Sequence, residues 1–238
     1  MNKALVMFSG GQDSCTLLAW ALSRFDKVET VVFRYGQRHD IELYQREEFM
    51  RALRDNYPLF ADRLGEDHFV DVAGLSKFNR KAMTDDVKFA RTAENLPNTF
   101  LPGRNLIFMM YAGAICYSRD IDTIVGGMSE TASVQFTGAP GYPDCRNNTI
   151  QATEEALRHG LARPNLTIET PLMWIDKAAV WRMAWEHGGD PLVELIVEHS
   201  HTCFKGDRST RYVWGYGCNE CPACKLRAHG WYRWKGEA

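Results

Sequence analysis

Short apolar runs alternate with amphipathic segments along most of the chain. Runs of strand length occupy residues 4–8, 28–33, 68–72, 121–125 and 168–172. Apolar positions recur every three or four residues in segments 16–22, 40–54, 106–117, 148–159, 177–187 and 190–198. Continuous apolar runs are typical of buried parallel strands, and the longer period is typical of helices. The alternation therefore predicts an α/β fold with a doubly wound, mostly parallel sheet.

A glycine-rich loop joins the first predicted strand to the first predicted helix. Adjacent glycines allow positive φ and close approach of a ligand, and the helix start offers unpaired N–H groups to an anion. The loop lacks the lysine of GxxxxGK[ST] and the spacing of GxGxxG. Asp13 can cap the helix or orient a metal-bound water. We predict that this loop binds the phosphates of a nucleotide, through Phe8, Ser9, Gly10, Gly11, Gln12, Asp13 and Ser14.

Three further turns carry cationic side chains. Arg38 and His39 follow the second strand, where the carboxyl ends of neighbouring parallel strands meet, so we expect them near the nucleotide. Arg104 follows a turn rich in proline and glycine, and its planar guanidinium suits phosphate or carboxylate. Lys177 begins a later helix and is expected to face the same anion. We assign Arg104, Lys177 and Asp13 to catalysis; solvated surface charges are the alternative for the cations.

A guanine-like base requires a carboxylate to accept from its N1–H and exocyclic amine, and an aromatic ring for stacking. Glu130 and Thr131 follow the fourth predicted strand, and Tyr142 and Asp144 lie in a second turn before a helix. These residues are the predicted substrate-binding set. Helix capping is the alternative for the two carboxylates.

Length and charge limit the possible functions. A chain of 238 residues suits one sizeable α/β domain with an appendage, and the formal net charge of −2 disfavours a nucleic-acid binder. The nearly apolar stretch at 106–116 is shorter than the roughly 18 residues of a membrane span, and no signal peptide precedes the first strand. We expect a cytoplasmic protein with a small-molecule substrate and no membrane partner.

Four of the seven cysteines lie near the C-terminus, with the spacing C-x14-C-x2-C-x2-C. Four thiolates complete the tetrahedral coordination of a structural zinc ion. The predicted ligands are Cys203, Cys218, Cys221 and Cys224. An iron–sulfur cluster, or a histidine (His199 or His201) in place of Cys203, is the alternative. We divide the chain into an α/β domain (1–198) and a metal-binding lobe (199–238), and expect the metal to replace a core in that lobe.

The sequence SGGQDS resembles the SGGxDS loop of the ATP pyrophosphatases, the PP-loop group with an adenine nucleotide alpha hydrolase-like fold. Together with YGQRH, PNTFLPGRN, GYPDCR, ETPLMWIDKA and the cysteine cluster, it resembles the 7-cyano-7-deazaguanine synthase family over nearly the whole chain. The resemblance implies a carbon–nitrogen ligase that uses ATP, Mg²⁺ and ammonia to convert 7-carboxy-7-deazaguanine to the nitrile. It also implies phosphate binding by residues 9–14, one zinc ion on the four cysteines, and a homodimer.

Three departures from that family motivate alternatives. Arg34 stands where the family usually has aspartate, and the segments 132–139 and 205–217 are longer than expected. A paralogue that transfers the activated acyl group to another amine, on a macromolecule, is one alternative. Two further alternatives do not depend on these departures: a PP-loop enzyme that modifies tRNA, and a non-enzymatic nucleotide sensor whose zinc lobe binds a partner.

Overall fold

The computed structural model describes residues 1–37, 40–78, 90–93, 95–131 and 141–236. Its centre is a parallel five-stranded sheet with the order β3-β2-β1-β4-β5. The strands are β1 (Lys3–Met7), β2 (Lys27–Arg34), β3 (Leu64–Asp71), β4 (Thr123–Val125) and β5 (Thr167–Glu169). The parallel sheet confirms the fold class predicted from the apolar runs.

Helices cover both faces of the sheet and connect its strands. They are α1 (Gln12–Arg24), α2 (Ile41–Asn56), α3 (Pro58–Arg63), α4 (Arg104–Arg119), α5 (Asn147–Gly160), α6 (Lys177–His199) and α7 (Pro222–Lys235). Two 3-10 turns occupy Ala73–Phe78 and Pro143–Cys145, and a short antiparallel hairpin joins β6 (Arg211–Tyr212) to β7 (Gly215–Tyr216).

The core has two halves, one on each face of the sheet. Ala4 and Val6 of β1 pack with α1, α2 and α6, whereas Leu5 packs with α4 and α5 on the other face. Successive side chains of a strand point to opposite faces, so the same short run supplies both halves. This double burial explains why β1 is a continuous apolar run without polar alternation.

The position of the candidate site follows from the point at which the chain crosses from one side of β1 to the other. The chain builds β1, β2 and β3 on one side, then crosses to add β4 and β5 on the other side of β1. Val6 of β1 pairs with Val125 of β4, so the loops that follow these two strands flank one crevice. Ligands of open parallel sheets bind in such a crevice, beyond the carboxyl ends of the strands.

The predicted helices 177–187 and 190–198 are both present, and they meet in α6 at a kink where Gly189 has the non-helical φ +65 and ψ −164. Two local predictions were wrong. Helix α1 begins at Gln12, directly after its N-cap Gly11, and not at residue 16. The C-terminal lobe does not lack a core, because Trp231 and Trp234 of α7 pack at 5.0 Å and 6.3 Å from the ring of Trp181 in α6. This packing needs no local apolar period, since its partner helix is distant in sequence.

Candidate active site

The predicted phosphate loop forms the turn between β1 and α1. Gly10 has φ +86, and a Cβ there would lie 2.7 Å from Cβ of Arg46. Gly11 has φ −76 and precedes the helix as its N-cap, so only one of the two glycines requires positive φ. The Ser14 hydroxyl accepts from Gly10 N at 3.0 Å and donates to Gly11 O at 3.0 Å. The hydroxyl closes the loop upon itself.

A buried arginine from α2 supports the loop from below. Arg46 Nε donates to the carbonyl of Phe8 at 2.9 Å, and its guanidinium lies over the Phe8 ring and pairs with Asp67 of β3. Burial lowers the pKa of Arg46 to about 10, so it is cationic at neutral pH. Arg46 therefore places a positive charge beneath the predicted phosphate site.

Two cavities meet beside the loop. The first, of about 330 Å³, is lined by Ser9, Ser14, Phe33, Tyr35, Arg104 and Phe108 among others. The second, of about 520 Å³, is lined by Thr99, Ser129, Lys177, Thr202 and Leu226 among others. Both are bordered by Asp13, Gly127, Tyr142, Cys145 and Phe204. A group bound in one cavity can therefore contact a group bound in the other at this shared border.

An ion pair lies at that border. Lys177 Nζ donates to Asp13 Oδ1, and the lysine side chain is 10% exposed against 34% for the aspartate. Lys177 is the first residue of α6, whose N-cap Asp176 accepts from Ala179 N at 2.8 Å. The structure thus brings together two of the three predicted catalytic residues.

Arg104, the third, lies in the first cavity between two tyrosines. Its guanidinium carbon is 5.4 Å from the Tyr35 ring centroid and 5.5 Å from that of Tyr142. Tyr142 Oη lies 2.5 Å from Thr99 Oγ1, and burial raises the pKa of Tyr35 to about 12. The tyrosines are neutral at pH 7, and their rings flank the guanidinium at distances typical of cation–π contacts.

The two carboxylates predicted to bind a base are engaged as helix caps. Glu130 Oε1 accepts from Asn147 N at 2.6 Å, at the start of α5, and Asp144 Oδ2 accepts from Asn105 N at 3.0 Å, in the first turn of α4. Thr131 Oγ1 donates to Met173 O at 3.1 Å. Among the described residues that line the two cavities, Tyr142 is the only member of the predicted substrate set. Asp144 Oδ1 is buried without a hydrogen-bond partner among the described residues.

The four C-terminal cysteines converge. Their sulfur atoms all lie within 4.8 Å of one another, and three of the four residues are buried. The amides of Cys221 and Cys224 point at Cys218 Sγ (3.3 Å) and Cys221 Sγ (3.5 Å), the arrangement that stabilises thiolates. Nε2 of His201 faces Cys203 O at 3.2 Å, and the described cluster contains no histidine. The donor set fits a tetrahedral metal ion.

Family comparison agrees with this geometry. A sequence model of the family described as "Queuosine biosynthesis protein QueC" matches residues 3–235. The chain belongs to the QueC family.

Relatives of this QueC-family chain are similar over nearly their whole length. A protein of Hyphomonas neptunium named 7-cyano-7-deazaguanine synthase is 53% identical over 235 residues, which cover 99% of this chain and 95% of that protein. A protein of the same name from Rhodopseudomonas palustris is 54% identical over 230 residues, covering 97% and 94%. Among solved structures, a 4-thiouridine synthetase in complex with RNA and bound ATP shares the fold with TM-score 0.52 and 18% identity, covering 81% of this chain and 42% of that one.

Sequence reasoning missed several residues of the QueC-family site. Glu42 of α2 lines the first cavity, and burial raises its pKa to about 7, although the charge of Arg104 opposes the rise. Phe204 borders both cavities, and Arg46 lies beneath the loop. Glu42 lies three residues after the YGQRH motif, Arg46 lies seven residues after it, and Phe204 follows Cys203 directly. That proximity was the available signal.

Other expectations have mixed outcomes. Arg38 and His39 lie outside the described residues, as do 132–140, which contain the longer segment 132–139. Arg34 lies 3.8 Å from Asp71 across the ends of β2 and β3, with both side chains about half exposed. Burial raises the pKa of Cys145 to about 12, so its thiol is a poor nucleophile. No helix in the described part of the chain has the length and apolar character needed to span a membrane.

Proposed function

We propose that this chain converts 7-carboxy-7-deazaguanine and ammonia to 7-cyano-7-deazaguanine, and that two molecules of ATP are cleaved to AMP and pyrophosphate in the process. The observation that carries the proposal is the position of the Asp13–Lys177 pair, where a phosphate loop and two cavities meet. The names of relatives that are 53% and 54% identical support this substrate class. The same names do not favour acyl transfer to a macromolecule, modification of tRNA or a nucleotide sensor.

The two cavities suit the two large substrates. The first begins at the phosphate loop and is walled by Phe33 and Phe108, whose rings stack at 4.2 Å, so we assign it to the adenosine of ATP. The second is the larger and contains Tyr142, Thr99 and Lys177, so we assign it to the deazaguanine. The carboxylate of the substrate then lies at the shared border, beside the α-phosphate.

The first chemical step forms a mixed anhydride. A substrate carboxylate oxygen attacks the α-phosphorus, the bond to the bridging oxygen breaks, and pyrophosphate remains in the loop. Residues 9–14 and the N-terminus of α1 stabilise the negative charge of the leaving group. The Lys177 ammonium, desolvated and directed by Asp13, neutralises charge that develops on the α-phosphate.

Ammonia then replaces AMP at the acyl carbon, which gives the amide and releases a proton. A second adenylation, at the amide oxygen, releases pyrophosphate and one amide proton, and loss of AMP with the second proton then forms the nitrile. The same loop and ion pair serve both adenylations, because the attacking oxygen belongs to the same substituent of the ring. The neutral thiol of Cys145 takes no covalent part.

Two metal ions complete the proposal. Asp13 is a carboxylate that borders both cavities beside the phosphates, and it suits Mg²⁺, which binds phosphates together with one or two carboxylates. Bound Mg²⁺ supplies charge neutralisation. The four cysteines suit one structural Zn²⁺, since four thiolates leave no open coordination position.

We also propose an assembly, a compartment and a domain division. The outward face of α4 exposes Leu106, Met110, Tyr111 and Tyr117, which favours a homodimer across this helix. Replacing Met110 by glutamate should convert the dimer to a monomer in light-scattering measurements; an unchanged mass would refute this interface. The seven cysteines are unpaired, which suits the reducing cytoplasm. The lobe boundary is placed at 198/199, one residue before α6 ends.

The activity is tested by turnover of metal-loaded protein with ATP, Mg²⁺, ammonium and the acid labelled with oxygen-18. The expected products are the nitrile, pyrophosphate and labelled AMP, because each adenylation transfers a substrate oxygen to AMP. Release of ADP and phosphate, or a product that stops at an acyl conjugate, would refute the proposal. Lys177→Met should lower kcat by about 100-fold or more, whereas Lys225→Met, an exposed lysine of α7, should retain full activity.

A further inference from the structure

A short strip of chain, residues 200–204, contacts the phosphate loop directly. His201 N donates to the carbonyl of Gly10 at 3.0 Å, and Thr202 Oγ1 accepts from Gln12 N at 3.4 Å. These contacts lie on either side of Gly11, whose Cβ position would be 3.5 Å from His201 O. The strip therefore holds the loop at the point where it enters α1, although the two segments are separated by about 190 residues.

The same strip continues into the metal cluster and the cavities. Cys203, the next residue, is buried and belongs to the four-cysteine cluster. Phe204 borders both cavities. Within three consecutive residues, the backbone thus passes from the phosphate loop to the metal ligand and then to the substrate border. A displacement of Cys203 must move Thr202 or Phe204, because both residues are joined to Cys203 by peptide bonds.

A fully buried arginine fixes this strip to the rest of the lobe. Arg227 of α7 donates to Thr202 Oγ1 at 3.2 Å, to Trp214 O at 2.7 Å and to Ile196 O at 3.1 Å. It is 1% exposed, and burial lowers its pKa to about 10, so it keeps its charge at neutral pH. Gly215, with φ +116, lies against the guanidinium where any Cβ would overlap it. Arg227 lies one helical turn after Cys224, so the cluster and the guanidinium are placed by the same helix.

We propose that Thr202, held by Arg227, is a positioning residue that couples metal occupancy of the four-cysteine cluster to nucleotide binding in the phosphate loop. The hydroxyl accepts one N–H from the loop and one from the lobe, so it joins the two sites through a single atom. The inference rests on the proposed function only in that a nucleotide occupies the loop. Coupling of two binding equilibria is reciprocal, so the nucleotide must also tighten the hold on the metal.

The reciprocal effect gives a test that does not depend on turnover. Metal-loaded, full-length protein is mixed with a chromogenic zinc chelator, and the rate of zinc release is followed with and without Mg²⁺ and α,β-methylene-ATP, which cannot be cleaved between its first two phosphates. In the wild-type protein, the analogue should slow zinc release by about 5-fold or more, the lower end of usual coupling between sites. Calorimetry on the same samples measures binding of the analogue.

Two substitutions isolate the hydroxyl. Thr202→Val keeps the shape of the side chain but removes the acceptor; it should bind the analogue about 3- to 10-fold more weakly and abolish the effect of the analogue on zinc release. Thr202→Ser should restore both properties. Thr210→Val makes the same chemical change at an exposed position of the same lobe and should behave as the wild type.

The outcomes are distinguishable. If the analogue binds the wild-type protein but leaves zinc release unchanged, the coupling is refuted while the proposed function stands. Full coupling in Thr202→Val would likewise refute the role of the hydroxyl. If calorimetry detects no binding to the wild-type protein, the proposed nucleotide site fails, and the coupling fails with it.

Discussion

Replacing Gly10 by alanine should destabilise the phosphate loop, whereas the same replacement at Gly11 should be tolerated. At Gly10, φ is +86 and the new Cβ would lie 2.7 Å from Arg46 Cβ and 3.0 Å from both Arg46 Cα and Glu42 O. A left-handed conformation costs a residue with a side chain about 1 to 2 kcal/mol, and overpacking against α2 costs about 1 to 3 kcal/mol. Together they predict a loss of about 2 to 5 kcal/mol in the free energy of unfolding.

Gly11 is the matched control within the same motif. Its φ is −76, and a Cβ there would first meet His201 O at 3.5 Å, an ordinary contact distance. Gly11→Ala should therefore change stability by less than about 1 kcal/mol. Thermal and urea unfolding of the metal-loaded proteins measure both variants, and calorimetry with α,β-methylene-ATP then reports on the site. Equal stability of the two variants would show that α2 does not pack against Gly10 as described.

Three further predictions concern charge and metal. Because burial raises the pKa of Glu42 to about 7, its carboxyl is neutral below that pH and anionic above it. Affinity for ATP should thus fall as the pH rises from about 6 to 8. In an anisotropy titration, the affinity of Glu42→Gln should depend less on pH than that of the wild-type protein; the same pH dependence in both proteins would contradict this prediction. Arg119 and His68 lower the pKa of Glu29 although burial opposes this, so the pairing stabilises the fold at neutral pH and is lost as pH falls through the folded pKa. Arg119→Met should lower the free energy of unfolding at pH 7 and have a much smaller effect in acid, with activity retained; an equal effect at both pH values would rule out the ionic cause. Cys218→Ser should lower bound zinc well below one per chain in elemental analysis, since a hydroxyl is a poorer ligand, and full zinc content would exclude Cys218 as a ligand.

Some features of the candidate site could be recognised from the sequence because they depend on residues that are neighbours in the chain. The predicted phosphate loop was recognisable because glycine and serine residues are typical of a tight turn between a strand and a helix. The cysteine cluster was recognisable because two of its three gaps are only two residues long, which brings three of the four thiols close together. For Glu130 and Asp144 the sequence pattern does not separate two roles, because a carboxylate before a helix can bind a ligand or cap a helix; the structure shows that both accept a helix N–H.

The amino-acid sequence by itself determined the α/β class and the approximate positions of the five strands, and it predicted the phosphate loop and the cysteine cluster, because each depends mainly on side chains close together in the chain. Only the tertiary structure decided that β4 lies beside β1 and that Lys177 meets Asp13. It also placed Arg46 and Thr202 against the loop. These contacts join residues up to about 190 positions apart, and they follow from strand order and helix packing. No local pattern encodes them, since the free energy that selects them comes from burial of the whole core.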